Sequence, residues 1–379
     1  MRFGQWGSKS VAVIVSIIVL IVGLFAIYTL MTAPIQAKER AAQSTPLAKA
    51  GGPVGETSKV LADYVAEGDQ LFLDGKVDEA LASYSDAVTK DPNNAKAYAH
   101  WGRALVLRSK TADGLEKARH AVQIDPNNAE YLAILALAYD WNGDYKNAVE
   151  AGQKAVQLAP TYAPAYGYLG EALVDSGQLQ KAKDAGKKAV ELDPNSAETH
   201  RSYGVVLQTI GDFQSAEKEY LRAIELQPKS TYLHLTLGAL YRRMKRPDDA
   251  IIEFQKVIEA EPKNPQGYEA IGRTYYEQSK FEDGISFFKK ATEVDPNRAS
   301  SFALIGWSYY REEKYDASIP YFQQAVKIEP KRDAEWAGLG MSLYMTGKHN
   351  EARDAFKKAL DINPNSELAK SGMKLVGGS

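Results

Sequence analysis

Five histidines are the side chains with the richest chemistry in this sequence, and two of them recur at the same spacing as a longer pattern. They are His100, His120, His200, His234 and His349. His200 and His234 are 34 residues apart, so a stacked pair that binds a metal ion or senses pH is geometrically possible. The alternative is that both imidazoles replace aromatic rings in a packed core. We adopt the packing interpretation and expect no metal site.

Other catalytic and metal-binding chemistry is missing from the sequence. The chain has no cysteine, which excludes disulfides, thiolate metal sites and cysteine nucleophiles. It contains no phosphate-binding glycine loop, no nucleophile elbow and no helical zinc motif of paired histidines. Carboxylates are numerous, but most fall at turns and on exposed helix faces. We therefore expect no enzyme activity and no cofactor.

Arginines and aromatic residues share one helix face in the second half of the sequence. Guanidinium groups form charge-assisted bonds with carboxylates, and exposed aromatic rings beside arginines are typical of recognition surfaces. The candidate partner-binding residues are Arg201, Arg242, Arg243, Arg273, Tyr276, Trp307, Tyr310 and Arg311. We predict that they bind a protein or peptide segment that is acidic or carries a free carboxylate. The alternative is a charged face that is only solvated.

The corresponding face earlier in the chain is largely acidic. It includes Glu130, Asp140, Trp141, Glu171 and Asp175, so the sign of the charge changes along the chain. Over the whole sequence 46 Lys and Arg stand against 48 Asp and Glu, a net charge of -2. Because nucleic-acid affinity comes mainly from basic side chains that neutralise phosphates, we expect no nucleic-acid partner.

A 34-residue period organises the elements that position these side chains. Prolines occur in this register at 92, 126, 160, 194, 228, 262, 296, 330 and 364. Such a period indicates a stacked array in which each unit buries its apolar face against its neighbours. The nine units span residues 61–94, 95–128, 129–162, 163–196, 197–230, 231–264, 265–298, 299–332 and 333–366.

Two apolar stripes predict that each unit is a helical hairpin. The first stripe contains unit positions four, seven, eight and eleven, as in Tyr268, Gly272 and Tyr275, which fall on one helix face. The second contains positions twenty, twenty-four and twenty-seven, and turn residues separate the two stripes. The periodic proline ends the second helix. The Asn or Ser that follows, such as Asn94 or Ser196, can cap the next helix.

Small residues at two unit positions predict where helices approach closely. Position eight is Gly in every unit except unit three, which has Ala136. A helical Gly costs about 1 kcal/mol relative to Ala, so its repeated use indicates a closely packed neighbour. Position twenty-four is aromatic in six units but is Ala118, Gly152 and Gly186 in units two to four. Those three units are either more compliant or packed with closer helices.

At these positions the sequence resembles the tetratricopeptide repeat (TPR) family. The family pattern has an aromatic residue at position four, Leu-Gly at seven and eight, Tyr at eleven, Ala at twenty, an aromatic residue at twenty-four, Ala at twenty-seven and Pro at thirty-two. The similarity covers residues 61–366. It implies an all-α, right-handed superhelical solenoid of nine helical hairpins that binds proteins or peptides in its concave groove.

The resemblance also bears on the candidate binding residues. Family members line the groove with positions two, five, nine, twelve and thirteen of each first helix, and the arginines and aromatic residues named above occupy such positions. Chaperone-binding members hold a terminal carboxylate with Lys at position five and Asn at position nine. Unit one has Val65 and Asp69 there, and unit five has Arg201 and Val205. Binding of a chaperone tail therefore has no support.

One N-terminal segment is apolar enough to cross a membrane. Residues 11–31 carry no charge, and at about 1.5 Å per residue they form a helix about 31 Å long, which spans a hydrocarbon core. A cleaved signal peptide is the alternative, although its apolar region is normally shorter. Arg2 and Lys9 favour a cytoplasmic N-terminus with the repeats outside the cytoplasm. Basic residues after the span leave the opposite orientation open.

The predicted order assigns nearly the whole chain. It runs from a basic tail (1–10) through a transmembrane helix (11–31), a flexible linker rich in Pro and Gly (32–57) and the TPR repeats (58–366) to a capping helix and tail (367–379). No catalytic domain has room. We predict a single-pass membrane scaffold for partner proteins, in complex assembly or envelope protein handling. The alternatives are a self-associating structural component that forms homo-oligomers and a non-catalytic arm of a transferase-like enzyme.

Overall fold

The computed structural model describes residues 61–377, in which all regular structure is α-helical. The predicted tail, transmembrane helix and linker lie outside the described residues. Within the described range, no helix is long and apolar enough to cross a membrane. The helices are α1 (Leu61–Leu73), α2 (Val77–Lys90), α3 (Ala95–Leu107), α4 (Thr111–Ile124), α5 (Ala129–Trp141), α6 (Tyr145–Leu158), α7 (Ala163–Asp175), α8 (Leu179–Leu192), α9 (Ala197–Thr209), α10 (Phe213–Leu226), α11 (Thr231–Arg243), α12 (Pro247–Ala260), α13 (Pro265–Glu277), α14 (Phe281–Val294), α15 (Ala299–Arg311), α16 (Tyr315–Ile328), α17 (Asp333–Met345), α18 (His349–Ile362) and α19 (Glu367–Gly377).

The helices pair into hairpins, as the two apolar stripes predict. From α1 to α18, helices of 13 residues alternate with helices of 14 residues. The turn inside each hairpin contains one residue with positive φ. That residue is a glycine in five hairpins and Ser109, Lys245, Ser279 or Glu313 in the other four. The predicted all-α fold is confirmed for the described residues.

Polar residues at the ends of the loops between hairpins begin several of the first helices. The Asn94 side chain accepts a hydrogen bond from the Ala97 amide at 3.0 Å, and the Ser196 hydroxyl accepts one from the Thr199 amide at 3.4 Å. Asn128 and Asn264 cap α5 and α13 in the same way. These bonds satisfy amides that a helix start leaves without a partner.

The repeated glycine at position eight makes room for the ring at position twenty-four. A Cβ on Gly204 would lie 2.4 Å from the ring of Tyr220, and a Cβ on Gly272 would lie 2.5 Å from the ring of Phe288. Both rings are buried. The glycine therefore lets the first helix of a hairpin lie directly against the aromatic ring of the second helix.

Units two and four use closer helix packing where the aromatic ring is missing. A Cβ on Gly102 would lie 2.9 Å from both the Ala118 amide nitrogen and the Gly114 carbonyl oxygen, so backbone faces backbone. A Cβ on Gly170 would lie 3.3 Å from the backbone of Ala182 and Gly186. The structure thus has the closer packing that was one of the two alternatives for these units.

The last helix covers the apolar end of the array. Ala369 and Val376 of α19 are buried, and Gly372 lies so close to the Phe356 ring that a Cβ would be 2.2 Å away. Arg353 donates a hydrogen bond to the Val376 carbonyl at 2.6 Å. A terminal unit has no next neighbour, so such a cover keeps its core from water.

The first two units also contact units five to seven, far away in the sequence. The rings of Phe72 and Tyr232 stack with centroids 5.7 Å apart. Arg108 pairs with Glu261 at 2.5 Å, and the Gln266 amide donates to the Ser109 hydroxyl at 2.8 Å. We call this set of interactions the docking contact. It brings the turn of unit two against α13 of unit seven.

Candidate partner-binding surface

Two of the predicted arginines lie in one cleft with two further arginines that the sequence analysis did not single out. Arg242 lies at the end of α11, and Arg273 lies inside α13. With Arg298 and Arg332 they line a cleft of about 1070 Å³. The opposite wall is residues 109–113 of unit two, which form the end of its turn and the start of α4. We call this space the arginine cleft.

Three of the four cleft arginines have carboxylate partners. Arg242 pairs with Glu277 at 3.2 Å, and an Arg298 guanidinium nitrogen donates to Glu269 at 3.0 Å. Arg332 pairs with two carboxylates, Glu329 at 3.0 Å and Glu335 at 2.9 Å. These three cations are therefore largely compensated by the chain itself.

Arg273 differs from its three neighbours. Within residues 64–377 it makes no hydrogen bond or ion pair, although it is half-buried. Burial lowers the pKa of its guanidinium, Glu269 opposes that decrease, and the charges of Arg242, Arg298 and Arg332 add to it. An arginine stays protonated at neutral pH despite such a decrease. Arg273 is consequently a half-buried cation of the cleft that lacks a counter-ion in the described part of the chain, whereas Lys110, which also lines the cleft, is exposed.

The predicted residues Arg243, Tyr276 and Arg311 lie at the ends of first helices, beside rings that begin second helices. The Arg243 guanidinium lies over the Phe213 ring at 5.5 Å, and that of Arg311 lies over the Phe281 ring at 5.5 Å. The Tyr276 ring contacts the same Phe281 edge-on at 5.3 Å. Arg243 and Arg311 are exposed, so each exposes a guanidinium that is held over a phenylalanine ring by a cation–π contact.

Trp307 and Tyr310 form an aromatic cluster on α15. Their ring centroids lie 5.8 Å apart. Trp307 also packs edge-on against Phe322 at 5.0 Å, and Tyr310 against Tyr315 at 5.3 Å. Both predicted residues are half-buried, and burial raises the pKa of Tyr310. Held by their neighbours, these rings offer apolar area with little loss of side-chain entropy on binding.

Arg201 does not belong to this exposed surface, which corrects the prediction for that residue. Its relative exposure is 1%, and its guanidinium pairs with Glu171 at 2.6 Å and with Glu198 at 2.9 Å. The Ser202 hydroxyl also donates to Glu171. A buried charge needs a partner, and here the chain supplies two. Its guanidinium is therefore occupied by the protein's own carboxylates.

The acidic stretch of units three and four is likewise not one exposed face. Glu171 is buried against Arg201, and Asp140 is buried with one carboxylate oxygen that has no partner in the described residues. Burial, followed by the charges of Glu171 and Asp175, raises the pKa of Asp140 to about 8. Trp141 and Asp175 are exposed. At neutral pH this stretch is less negative than its composition indicates.

His200 and His234 bind carboxylates within their own hairpins instead of forming a metal-binding pair. His200 contacts Glu219 at 2.5 Å and the Pro194 carbonyl at 2.9 Å. His234 contacts Glu253 at 2.6 Å and the Pro228 carbonyl. Within the described residues no group of His, Asp and Glu side chains could hold a metal ion. Both histidines are buried in the position that aromatic residues occupy in other units.

Arg298 and Arg332 had a detectable signal in the sequence. They occupy the last position of units seven and eight. In units one, two, five and six that position has a residue type that can cap a helix, namely Asn94, Asn128, Ser230 and Asn264. Neither arginine makes a side-chain cap on the helix that follows. Two successive units thus have arginine where a capping residue is usual. This substitution indicates that the arginine side chains have another role, and in the structure they line the cleft.

Comparisons with known proteins agree on one family. A tetratricopeptide repeat model matches residues 101–163 and, in overlapping stretches, 204–265, 235–303, 269–333 and 303–367. A second tetratricopeptide repeat model matches 142–203, and a TPR repeat model matches 68–114. No curated protein sequence matched the chain.

Two solved structures share the fold. The yeast Tom70 crystal structure superposes with a TM-score of 0.56 at 14% identity, over 85% of this chain and 89% of that one. A chain of the APC/C hetero-tetramer Cut9–Hcn1 superposes with a TM-score of 0.53 at 17% identity, over 79% of this chain. This chain spans 59% of that chain.

Proposed function

Because the chain belongs to the tetratricopeptide repeat family, we propose that it is a non-enzymatic scaffold of nine repeats that binds a segment of a partner protein. The Cut9–Hcn1 structure is a hetero-tetramer, and protein assembly is the role we assign to this array too. The proposed binding surface comprises Arg242, Arg243, Arg273, Tyr276, Trp307, Tyr310 and Arg311. Arg201 is left out because its carboxylate partners occupy it.

One observation carries this proposal. Among the described residues, unpaired or exposed arginines lie within three successive units beside rings that are already held in place by other rings. Guanidinium groups attract carboxylates, and a charge-assisted bond is about twice as strong as a neutral one. The rings supply apolar walls for a neighbouring side chain. An acidic segment that carries some apolar residues fits this combination.

We also propose that the array is tethered to a membrane by residues 11–31 and stands outside the cytoplasm. The support is the uncharged apolar run and the basic residues that precede it. Protease added to intact cells with a permeabilised outer layer should digest the repeats. Protection that ends only on lysis would reverse the topology. Extraction of the protein by alkaline carbonate would contradict the tether itself.

The binding proposal is tested with a fluorescent peptide in which Glu alternates with Leu. Replacing Arg242 and Arg243 together by Ala should weaken binding by about 1 kcal/mol or more if they meet desolvated carboxylates. If they only steer the encounter, the loss should shrink at high salt. The matched control replaces Lys183 and Lys187, two exposed cations on the second helix of unit four, and it should leave affinity unchanged.

The opposite charge preference is tested in the same titration. Asp175 is exposed in the acidic stretch, and Asp175→Asn should have little effect on an acidic peptide or should tighten its binding. If the arginine variant binds normally and Asp175→Asn abolishes capture of the natural partner, the ligand is basic and docks on units three and four. Light scattering of the purified protein separates a monomeric binder from a self-associating component.

A further inference from the structure

The arginine cleft is built from two parts of the chain that are distant in sequence. One wall comes from units six to eight, and the other is residues 109–113 of unit two, which form the end of its turn and the start of α4. The hydrogen bond from Gln266 to Ser109 joins the two walls at 2.8 Å. If unit two moves away from unit seven, the cleft loses a wall while every hairpin remains intact.

The docking contact that holds these walls together lies within a buried apolar cluster that also includes Val77 and Leu107. It consists of the Phe72–Tyr232 ring pair, the Arg108–Glu261 ion pair and the bond between Gln266 and Ser109. An exposed ion pair between Asp74 and Lys229, 3.1 Å apart, lies at its margin. In a linear array each unit is stabilised mainly by its neighbours. The docking contact is therefore additional to the packing between neighbouring units, and opening it would expose apolar side chains such as Phe72.

Gly75 marks the tightest point near the docking contact. It has φ of +77° in the turn of unit one, and a Cβ there would lie 2.3 Å from the Lys229 carbonyl oxygen. Gly177 is the equivalent residue of unit four, with φ of +81°, and nothing in the described structure lies within 4 Å of the place where its Cβ would be. Because both glycines have positive φ, replacing either one with another residue would strain the backbone to a similar degree. Only Gly75 touches a distant unit.

The charge of the cleft points to the chemistry of its ligand. Glu269 is committed to Arg298, Glu277 to Arg242, and Glu329 to Arg332. Lys110, Asp113 and Asp295 also line the cleft, so its lining has five basic and four acidic side chains. Arg273 has no such partner in residues 64–377. A half-buried cation beside three others is stabilised by an anion, and a carboxylate matches the planar fork of a guanidinium with two parallel hydrogen bonds.

We propose that the arginine cleft is a composite site for one carboxylate of the partner segment, with Arg273 as its main ligand and Arg242 beside it. The site is complete only while unit two is docked on unit seven. Carboxylate binding and docking therefore favour each other, because linkage between two equilibria is reciprocal. This inference rests on the proposed function, since it names where a carboxylate of the acidic segment is held.

The first test measures affinity of the full chain, purified in detergent, for the Glu and Leu peptide. Arg273→Ala should weaken binding by about tenfold to a hundredfold, the range for a hydrogen bond to a charged group. Arg273→Lys keeps the charge but lacks the fork, so it should recover only part of the loss. The peptide is used with a free and with an amidated C-terminus. Loss of binding on amidation identifies the terminal carboxylate, and equal binding identifies a side-chain carboxylate.

The second test separates docking from direct contact. Gly75→Ala should weaken binding of the same peptide several-fold, although Gly75 does not line the arginine cleft. Gly177→Ala is the matched control, because it has similar backbone strain with open space around it. Circular dichroism of the two variants shows whether each remains folded. Loss of affinity in Gly75→Ala alone supports the composite site.

The third test observes docking directly and does not depend on a substitution in the cleft. The chain has no cysteine, so Lys76→Cys and Lys263→Cys provide two unique spin-label sites. Both positions are exposed and face one another across a second cleft beside the docking contact. Added peptide should narrow the measured distance distribution. Arg273→Ala should abolish this response.

Three results would overturn the inference in different ways. If the peptide binds, and neither its affinity nor the label distances depend on docking, the composite site is wrong while the partner surface stands. If Arg273→Ala binds as tightly as the parent chain while the paired substitution of Arg242 and Arg243 weakens binding, the carboxylate is held elsewhere on that surface. If the unmodified chain does not bind the peptide at all, the acidic partner is wrong and the composite site falls with it.

Discussion

At the scale of single residues, the chain differs from a generic array mainly in how it pairs its buried charges. Arg201 is surrounded by Glu171, Glu198 and Ser202, and three histidines have acceptors at both ring nitrogens. His100 contacts Asp69 at 2.5 Å and Glu130 at 3.0 Å, which links units one, two and three. A neutral imidazole has only one N–H donor. At His200, the bonds to Glu219 and to the Pro194 carbonyl raise the pKa of the ring, and burial opposes that increase.

The Arg201 network predicts a large cost for removing the cation alone. Arg201→Met should destabilise the protein by about 3–5 kcal/mol, because it leaves the buried carboxylate of Glu171 without its partner. Urea unfolding followed by circular dichroism measures the change. Adding Glu171→Gln should recover part of the loss, since an amide is less costly to bury than a carboxylate. A single variant with unchanged stability would contradict the buried network.

His200 predicts a pH dependence with a definite sign. The hydrogen bond to Glu219 raises the pKa of His200, burial opposes that increase, and the Pro194 carbonyl and the Glu219 charge support it. Its stabilising contribution is fully present below the unfolded pKa of about 6.5 and is lost as pH rises through the folded pKa. The urea midpoint should therefore fall more steeply above about pH 6.5 in the parent chain than in His200→Phe.

The comparison variant, His200→Phe, introduces a residue that the chain already has at the equivalent position of another unit. Unit eight has Phe302 where unit five has His200, so a ring is tolerated there. Arg222 also acts on His200 and lowers its pKa, and it is retained in both proteins. Parallel pH profiles for the parent and His200→Phe would show that His200 does not carry a stabilising proton.

At the scale of elements, the hairpins have the same helix lengths, but their two helices pack against each other in two ways. In units with a ring at position twenty-four, the glycine at position eight faces an aromatic side chain, as in Gly272 and Phe288. In unit two the glycine faces backbone atoms of the second helix. The absence of a ring is thus compensated by close approach. We expect amide exchange in units two to four to be as slow as in units five to nine.

Gly102→Ala tests this close packing. Ala is a better helix former by about 1 kcal/mol, which by itself would stabilise α3. The new Cβ would lie 2.9 Å from two backbone atoms of α4, so the helices must separate and the net effect should be destabilising. Hydrogen exchange should accelerate in residues 95–128. Ala136→Gly in unit three is the reverse change, and it should cost about 1 kcal/mol through helix propensity.

At the scale of the whole molecule, the docking contact joins units that are distant in sequence, whereas the most extensive helix contacts within residues 61–377 lie inside one unit or between neighbouring units. Within residues 61–377 the apolar stripes of the hairpins are buried against one another, and α19 covers the last hairpin. A protein comprising residues 58–379 should therefore be soluble and strongly helical by circular dichroism. Persistent aggregation or a β-rich spectrum would show that the repeats need the N-terminal region.

The sequence by itself determined the elements and their order. Period, helix faces, capping residues and the close approach at position eight all follow from local rules, because each acts within one hairpin or between neighbours. The same rules located Arg242, Arg243, Arg273 and Arg311 on first helices. They also predict an acidic segment as ligand, but they do not distinguish the exposed residues of one helix face from the buried ones.

Only the tertiary structure decided which of those residues are available. Arg201 occupies position five, one of the positions that line the groove in the family, yet Glu171 from the preceding unit and Glu198 within its own unit enclose it. The arginine cleft depends on the docking contact between units two and seven, which no local pattern encodes. Such contacts depend on the angle between successive hairpins summed over several units. Small differences in packing at each interface accumulate, so the partners across one superhelical turn are set by the folded array as a whole.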